Sequence, residues 1–197
     1  MFTNWKRKIS CYEYLFLEFL AVKIDFFYRM LTRWRKTVFI KEIKMVNITP
    51  KDKVLFIGCG ILPTGPIIIA EETEAKVVTI DNNIRAIKFA QSHIRKKGLI
   101  DKIKIEYADG VGYPVENFDF IFIATNVWPI EPILKHLYNN MKPDAKIICK
   151  GIKNDVAELF EKSELNNMYS IENITKNPKT YSFLLTKKDN LYERKIT

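Results

Sequence analysis

Short apolar runs alternating with helical stretches predict an α/β fold on a doubly wound, mostly parallel sheet, and three observations carry that prediction. Val54-Leu55-Phe56-Ile57, Val77-Val78-Thr79-Ile80 and Phe118 to Ala124 are nearly continuous in apolar residues, as strands covered on both faces require. Helical stretches separate these runs, which is the alternation of βαβ units. The last two runs, Tyr169 to Ile174 and Tyr181 to Leu185, follow one another with no room for a helix, so they should pair antiparallel.

Composition bounds the rest. The 197 residues suit one domain with a short appended segment, and 47% hydrophobic with 28% charged residues, 7 Gly and 8 Pro describe a globular chain. Thirty-two Lys plus Arg against 23 Asp plus Glu leave a net charge of +9, which keeps nucleic acid, acidic lipid and phosphorylated or carboxylated substrates open as partners. Cys11, Cys59 and Cys149 lie far apart with no C-x-x-C pair. That spacing argues against a disulfide framework or a metal site and for a reducing cytoplasm. Lys6-Arg7-Lys8 before an apolar stretch imitates a signal peptide, but Glu13 and Glu18 interrupt the stretch. No uninterrupted apolar run reaches the roughly 20 residues of a bilayer span, so a soluble protein is expected.

The elements follow in order. From Cys11 to about Lys36, apolar residues from Tyr12 and Phe16 to Met30 and Trp34 recur at three- and four-residue spacing, predicting an amphipathic helix with an Asp25–Arg29 pair on its polar side. Val38 to Val46 continues it, and Asn47-Ile48-Thr49-Pro50 ends it. This divides the chain into an N-terminal helical segment, 1–46, and a sheet domain, 47–197. Further strands are expected at Ile103 to Tyr107 and Lys146 to Cys149. Helices are expected at about Gly65 to Glu72, Asn83 to Lys96, Ile130 to Met141 and Asn154 to Leu165.

Four strand ends carry the candidate site. Val54 to Ile57 leads into Gly58-Cys59-Gly60-Ile61-Leu62-Pro63 and then a helix; the glycines let backbone approach a ligand, and the helix start offers free amides. Asp81 closes the second strand about 20 residues on, where an acid receives ribose hydroxyls in a nucleotide-binding βαβ unit. The other reading makes it a helix cap. Both hold if Asp81 meets the ligand and Asn82 caps. Asp109-Gly110 ends the third run and Thr125-Asn126 the fourth, so four loops converge on one crevice.

This spacing resembles the class I S-adenosylmethionine-dependent methyltransferases over roughly Lys51 to Lys187, and the resemblance implies a Rossmann-like, seven-stranded sheet with an antiparallel last strand. Val54 to Gly60 is similar to the family's first motif, Asp81 to its ribose-binding acid, Ala108-Asp109-Gly110 to its adenine loop and Phe118 to Ala124 to its fourth strand. Met141 to Lys146 matches the turn before the fifth. S-adenosylmethionine is therefore the implied cofactor, held by Gly58 to Pro63, Asp81, Asn82, Asp109, Gly110 and Thr125. Phe56 stands where the family has an acid, and Leu62-Pro63 where it has a third glycine. Gly-x-Gly-x-Leu-Pro, over about Leu55 to Ile69, is similar to the nicotianamine synthase group, which transfers an aminocarboxypropyl group from the same cofactor.

The expected activity is transfer of a methyl group to a small substrate, with aminocarboxypropyl transfer, nucleic-acid methylation and non-catalytic binding as alternatives. Transfer from a sulfonium rests largely on positioning, so no acid–base dyad is needed. His93 and His136 fall at ordinary helical positions. Asn126, in Asn126-Val127-Trp128-Pro129, is the one catalytic candidate, since its first residue resembles the Asn-Pro-Pro-Tyr element of amino-methylating relatives. Otherwise Asn126 caps the next helix and Trp128 packs on the sheet. The N-terminal helix would wall the pocket with Tyr12, Phe16, Phe19 and Tyr28, or place Trp5 to Lys8 and Arg29 to Lys36 on an anionic membrane. The cluster from Arg29 to Lys36 also fits a solvated helix end.

Overall fold

The computed structural model describes residues 25–151, 153–177 and 180–188. Tyr12, Phe16, Phe19 and Trp5 to Lys8 lie outside them, as do the side chains of Asp25 and Tyr28. The first described element is helix α1, Asp25–Val46, one continuous rod that runs through the expected junction near Thr37. It stops at Asn47, whose φ of 54° is the left-handed turn that asparagine tolerates after a helix.

Seven strands form one sheet: β1 Lys53–Ile57, β2 Lys76–Asp81, β3 Ile103–Tyr107, β4 Phe120–Ile123, β5 Lys146–Gly151, β6 Tyr169–Lys176 and β7 Tyr181–Lys187. Their order is β3-β2-β1-β4-β5-β7-β6. All neighbours from β3 to β5 are parallel, while β7 runs antiparallel to both β5 and β6. Between them lie helices α2 (Thr64–Thr73), α3 (Ile84–Lys96), α4 (Ile130–Asn140), α5 (Lys153–Lys162) and the short α6 (Leu165–Met168). The single helix expected over Asn154 to Leu165 is thus two, and the hydroxyl of Ser163, accepting from the Leu165 amide, sits at the break.

Alternation along each strand builds two cores. Val54 and Phe56 of β1, with Val77, Phe120 and Phe122, face α1, α2 and α3 through Phe39, Ile67, Ile87, Ala90 and Ile94. Leu55 and Ile57, with Ile80, Ile121 and Ile123, face α4 and its neighbours through Ile133, Leu134, Leu137, Val156 and Phe160. A strand that serves both layers cannot afford polar positions, which is why β4 is apolar and buried throughout. Phe56 occupies the place of the family's acid and stacks on Phe122 at 6.1 Å between ring centroids.

The topology also locates the crevice. β1 pairs with β2 on one side and β4 on the other, so the winding reverses between them, and the carboxyl ends of β1 and β4 face a gap that no crossover covers.

Candidate active site

The chain leaves β1 through Gly58 (φ 86°) and Gly60 (φ 65°), both in the region that L side chains avoid. A Cβ on Gly58 would lie 2.3 Å from Val127 Cγ2, so glycine is needed for space as well. The Gly58 amide donates to the Ile80 carbonyl at 2.8 Å, tying the turn to β2. Asp81, at the end of β2, accepts from the Gly60 amide through Oδ2 and from the Asn83 amide through Oδ1, each at 2.9 Å. A carboxylate oxygen has a second lone pair, so Asp81 holds the loop and keeps acceptor capacity toward the crevice.

The helix after β2 is capped by Asn83, whose Oδ1 accepts from the amides of Arg85 and Ala86; Asn82 is not the cap. The correction is geometric, because an N-cap side chain must reach amides two and three residues ahead, and helix α3 starts at Ile84. Asp109 accepts from the Val111 amide at 2.9 Å in a loop of its own. The Val127 amide closes the turn after β4 on the Ala124 carbonyl at 3.2 Å.

These loops and α1 enclose a cavity of about 600 Å³, within the range of small-molecule sites. Gly58, Cys59, Gly60, Ile61, Leu62, Asp81, Asn82, Asp109, Gly110, Thr125 and Asn126 all line it. Pro63 does not. It is buried behind the loop at the N-cap of α2, with φ −77°, where the chain turns into the helix. Asn126 does not cap α4 either, since Pro129 holds that position without a side-chain bond. Trp128 is 59% exposed instead of packed on the sheet, because Val127 takes the inward place in the core. His93 and His136 lie outside the cavity lining.

Helix α1 supplies part of the cavity wall, while the expected wall residues Tyr12, Phe16 and Phe19 lie outside the described residues. Trp34, Arg35, Val38 and Phe39 line the cavity. Arg35 is only 8% exposed and its Nη1 donates to Thr64 Oγ1 at 3.1 Å, so this part of the basic cluster is no solvated helix end. Two further residues escaped sequence reasoning. Lys150, the last side chain of β5 before Gly151, lines the cavity and pairs with the fully buried Glu42 of α1 at 2.9 Å. Asn177, in the turn after β6, lines it nearby. A signal existed: Glu42 falls on the stripe Phe39, Glu42, Val46, and a lone carboxylate on a buried helix face demands a partner.

Burial holds the Lys150 ammonium below its ordinary pKa, against the pull of Glu42, and Arg35 adds to the lowering. Cys149, one residue earlier, is buried and its thiol is pushed up to about 12, which makes it inert as a nucleophile near neutrality. Among the described residues, no group of three His, Cys, Asp or Glu is placed to hold a metal, and no helix is long and apolar enough to cross a membrane.

Comparison with known proteins agrees with this geometry. Phosphoethanolamine N-methyltransferase 1 of Arabidopsis thaliana is 30% identical over 128 residues, covering 60% of this chain and 26% of that protein. The chain thus spans about a quarter of that relative's length. L-histidine 2-aminobutanoyltransferase of Pseudomonas aeruginosa is 26% identical over 117 residues, 57% of this chain and 44% of that one. Among solved structures, a variant of MtNAS in complex with S-adenosylmethionine aligns with a TM-score of 0.76 at 16% identity, over 92% of this chain and 76% of that one. A protein of Methanococcus maripaludis aligns with a TM-score of 0.67 at 17% identity, over 86% of this chain and 93% of that one. The model of the nicotianamine synthase family matches residues 23–188, from α1 to the end of β7. By that match the chain belongs to the nicotianamine synthase family, built on the fold of the class I S-adenosylmethionine-dependent methyltransferases.

Proposed function

We propose that the chain binds S-adenosylmethionine at the β1, β2 and β4 ends and transfers one of its sulfonium substituents to a small acceptor in the same cavity. The observation that carries this is the cavity itself: a glycine turn in left-handed backbone, a strand-end carboxylate with lone pairs to spare, and a covering helix meet around one space. In this reading Gly58 to Leu62 supply close backbone, Asp81 receives the ribose diol, and Asp109 and Gly110 flank the base. Bound there, S-adenosylmethionine would supply an electrophilic sulfonium carbon, with the thioether as leaving group. The protein's part is to align the acceptor and exclude water, and α1 does the second by roofing the cavity with Trp34, Val38 and Phe39. In the same reading Asn126, which lines the cavity at the β4 end, would orient an acceptor nitrogen.

Methyl transfer is the first reading and is supported by the methyltransferase relatives. Aminocarboxypropyl transfer is the second, favoured by the family match over residues 23–188 and by Leu62-Pro63 after the glycine turn. Incubation with S-adenosylmethionine and a pool of candidate amines decides between them. Methyl transfer leaves S-adenosylhomocysteine and aminocarboxypropyl transfer leaves methylthioadenosine, both separable by mass spectrometry. Failure of the chain to bind S-adenosylmethionine or either nucleoside product sinks both. A cytoplasmic setting is inferred from Cys59 and Cys149, buried thiols outside any disulfide.

A further inference from the structure

One part of the cavity wall belongs to a polar chain that the nucleotide site does not use. Lys150 is 8% exposed. Its Nζ stands 2.9 Å from Glu42 Oε2 in an ion pair and 3.3 Å from the centroid of the Phe39 ring. Lys150 also lines the cavity, and an ammonium has three donors to share between Glu42 and an occupant. Glu42 Oε1 accepts from the Ser182 hydroxyl, and Ser182 Oγ accepts from Asn177 Nδ2 at 3.0 Å. That bond fixes which way the Asn177 amide points. Its Oδ1 is buried with no hydrogen-bond partner among the described residues, on a side chain only 4% exposed that also lines the cavity.

A buried acceptor without a donor costs its desolvation, and at a cavity wall a ligand's N–H or O–H can supply that donor. An ion pair in a core is likewise replaceable by apolar side chains without loss of stability, so stability does not explain this one. Donor and acceptor stand in one connected chain, Lys150–Glu42–Ser182–Asn177, contributed by α1, β5, β7 and the turn after β6. Arg35, the second buried cation of this wall, acts electrostatically on Lys150 and strengthens the positive field there.

We propose that Lys150 and Asn177 form the acceptor subsite and receive a substrate that carries an oxyanion with an N–H or O–H donor beside it. Lys150 donates to the oxyanion and Asn177 Oδ1 accepts from the neighbouring donor. Glu42 and Ser182 are positioning residues that hold the two. The proposal rests on the reading that S-adenosylmethionine fills the nucleotide end of the cavity.

The test titrates the full chain with acetate, glycolate and inorganic phosphate, first alone, then saturated with methylthioadenosine, then with S-adenosylhomocysteine, following binding by nuclear magnetic resonance. Glycolate, with a hydroxyl beside its carboxylate, should bind about threefold or more tighter than acetate, and Asn177→Ala should erase that advantage. The double variant Glu42→Gln, Lys150→Gln keeps the pair's shape without leaving a bare charge, and it should lose about tenfold in oxyanion affinity while binding methylthioadenosine as before. The preferred anion, carboxylate or phosphate, names the acceptor's group. Equal oxyanion affinity in the wild type and the double variant overturns the proposal. So does an oxyanion site blocked by S-adenosylhomocysteine and left open by methylthioadenosine, since the wall then serves the cofactor's own amino-acid tail. If neither nucleoside binds while oxyanions bind through Lys150, the cofactor reading falls and the oxyanion site stands.

Discussion

Two aspartates at opposite edges of the sheet do similar chemistry with different results. Asp119, at the amino edge just before β4, accepts from the Lys53 amide at 2.8 Å and pairs with Lys142, while its own backbone bonds to both Lys53 and Lys146. The carboxylate of Asp81, at the carboxyl edge, accepts two backbone amides. One binds three strands together and is closed by a lysine. The other fixes a loop and lines a cavity, with no cation paired to it among the described residues. A carboxylate at a strand end is therefore not functional by its type or its bonds; what matters is what its remaining lone pairs face.

The comparison can be pressed hardest where the carboxyl edge is built from buried charge. Glu42→Ala leaves Lys150 in the wall without its partner and should cost about 3–5 kcal/mol in denaturant unfolding. A loss near zero would show that water reaches this wall. Next is the glycine at the start of α2. A Cβ on Gly65 would meet Phe39 Cζ at 2.5 Å and the Phe56 ring at 2.6 Å, so Gly65→Ala should destabilise by about 1–3 kcal/mol through overpacking. It should also move α1, which a changed nucleoside affinity would register.

The amino edge should respond in stability alone. Asp119→Asn is expected to cost about 1–2 kcal/mol and to leave nucleoside binding unchanged, whereas any loss of binding would dissolve the distinction between the edges. Partial burial opposes ionisation of Asp119, but the bonds from Lys142 and from the Lys53 amide prevail and hold its pKa below the ordinary value. A carboxylate with a folded pKa so depressed contributes stability that is present above its unfolded value and lost as pH falls through the folded one. The gap between wild type and Asp119→Asn should then narrow as pH drops below about 4. A gap that stays constant to lower pH would mean the pair contributes little.

Much of this was legible in the chain because the signals are local. Continuous apolar runs mark parallel strands, and Gly58-Cys59-Gly60 with Asp81 marks a βαβ turn, so the sheet and the nucleotide end of the cavity follow from spacing. Caps were harder. Asn82 and Asn83 are equally good capping residues, and only the start of α3 at Ile84 selects between them. Trp128 was misplaced because an aromatic after a strand looks like core until Val127 takes the inward position. The Lys150 wall was legible only as a carboxylate, Glu42, on a buried helix face, with nothing to name its partner. Glu42 and Lys150 are 108 positions apart and meet only because α1 crosses the end of β5, a contact that no periodicity encodes. Asn177 belongs to a turn whose sequence looks like any other.

The most direct test of the central claim is calorimetric titration of the protein and its Asp81→Ala variant with S-adenosylmethionine. One-to-one micromolar binding is expected for the wild type, weakened in the variant by about 1–3 kcal/mol, or roughly five- to 150-fold, as charge-assisted hydrogen bonds are lost. No binding by the wild type, or the same affinity in both proteins, would contradict a cavity built at the β1 and β2 ends to hold this cofactor.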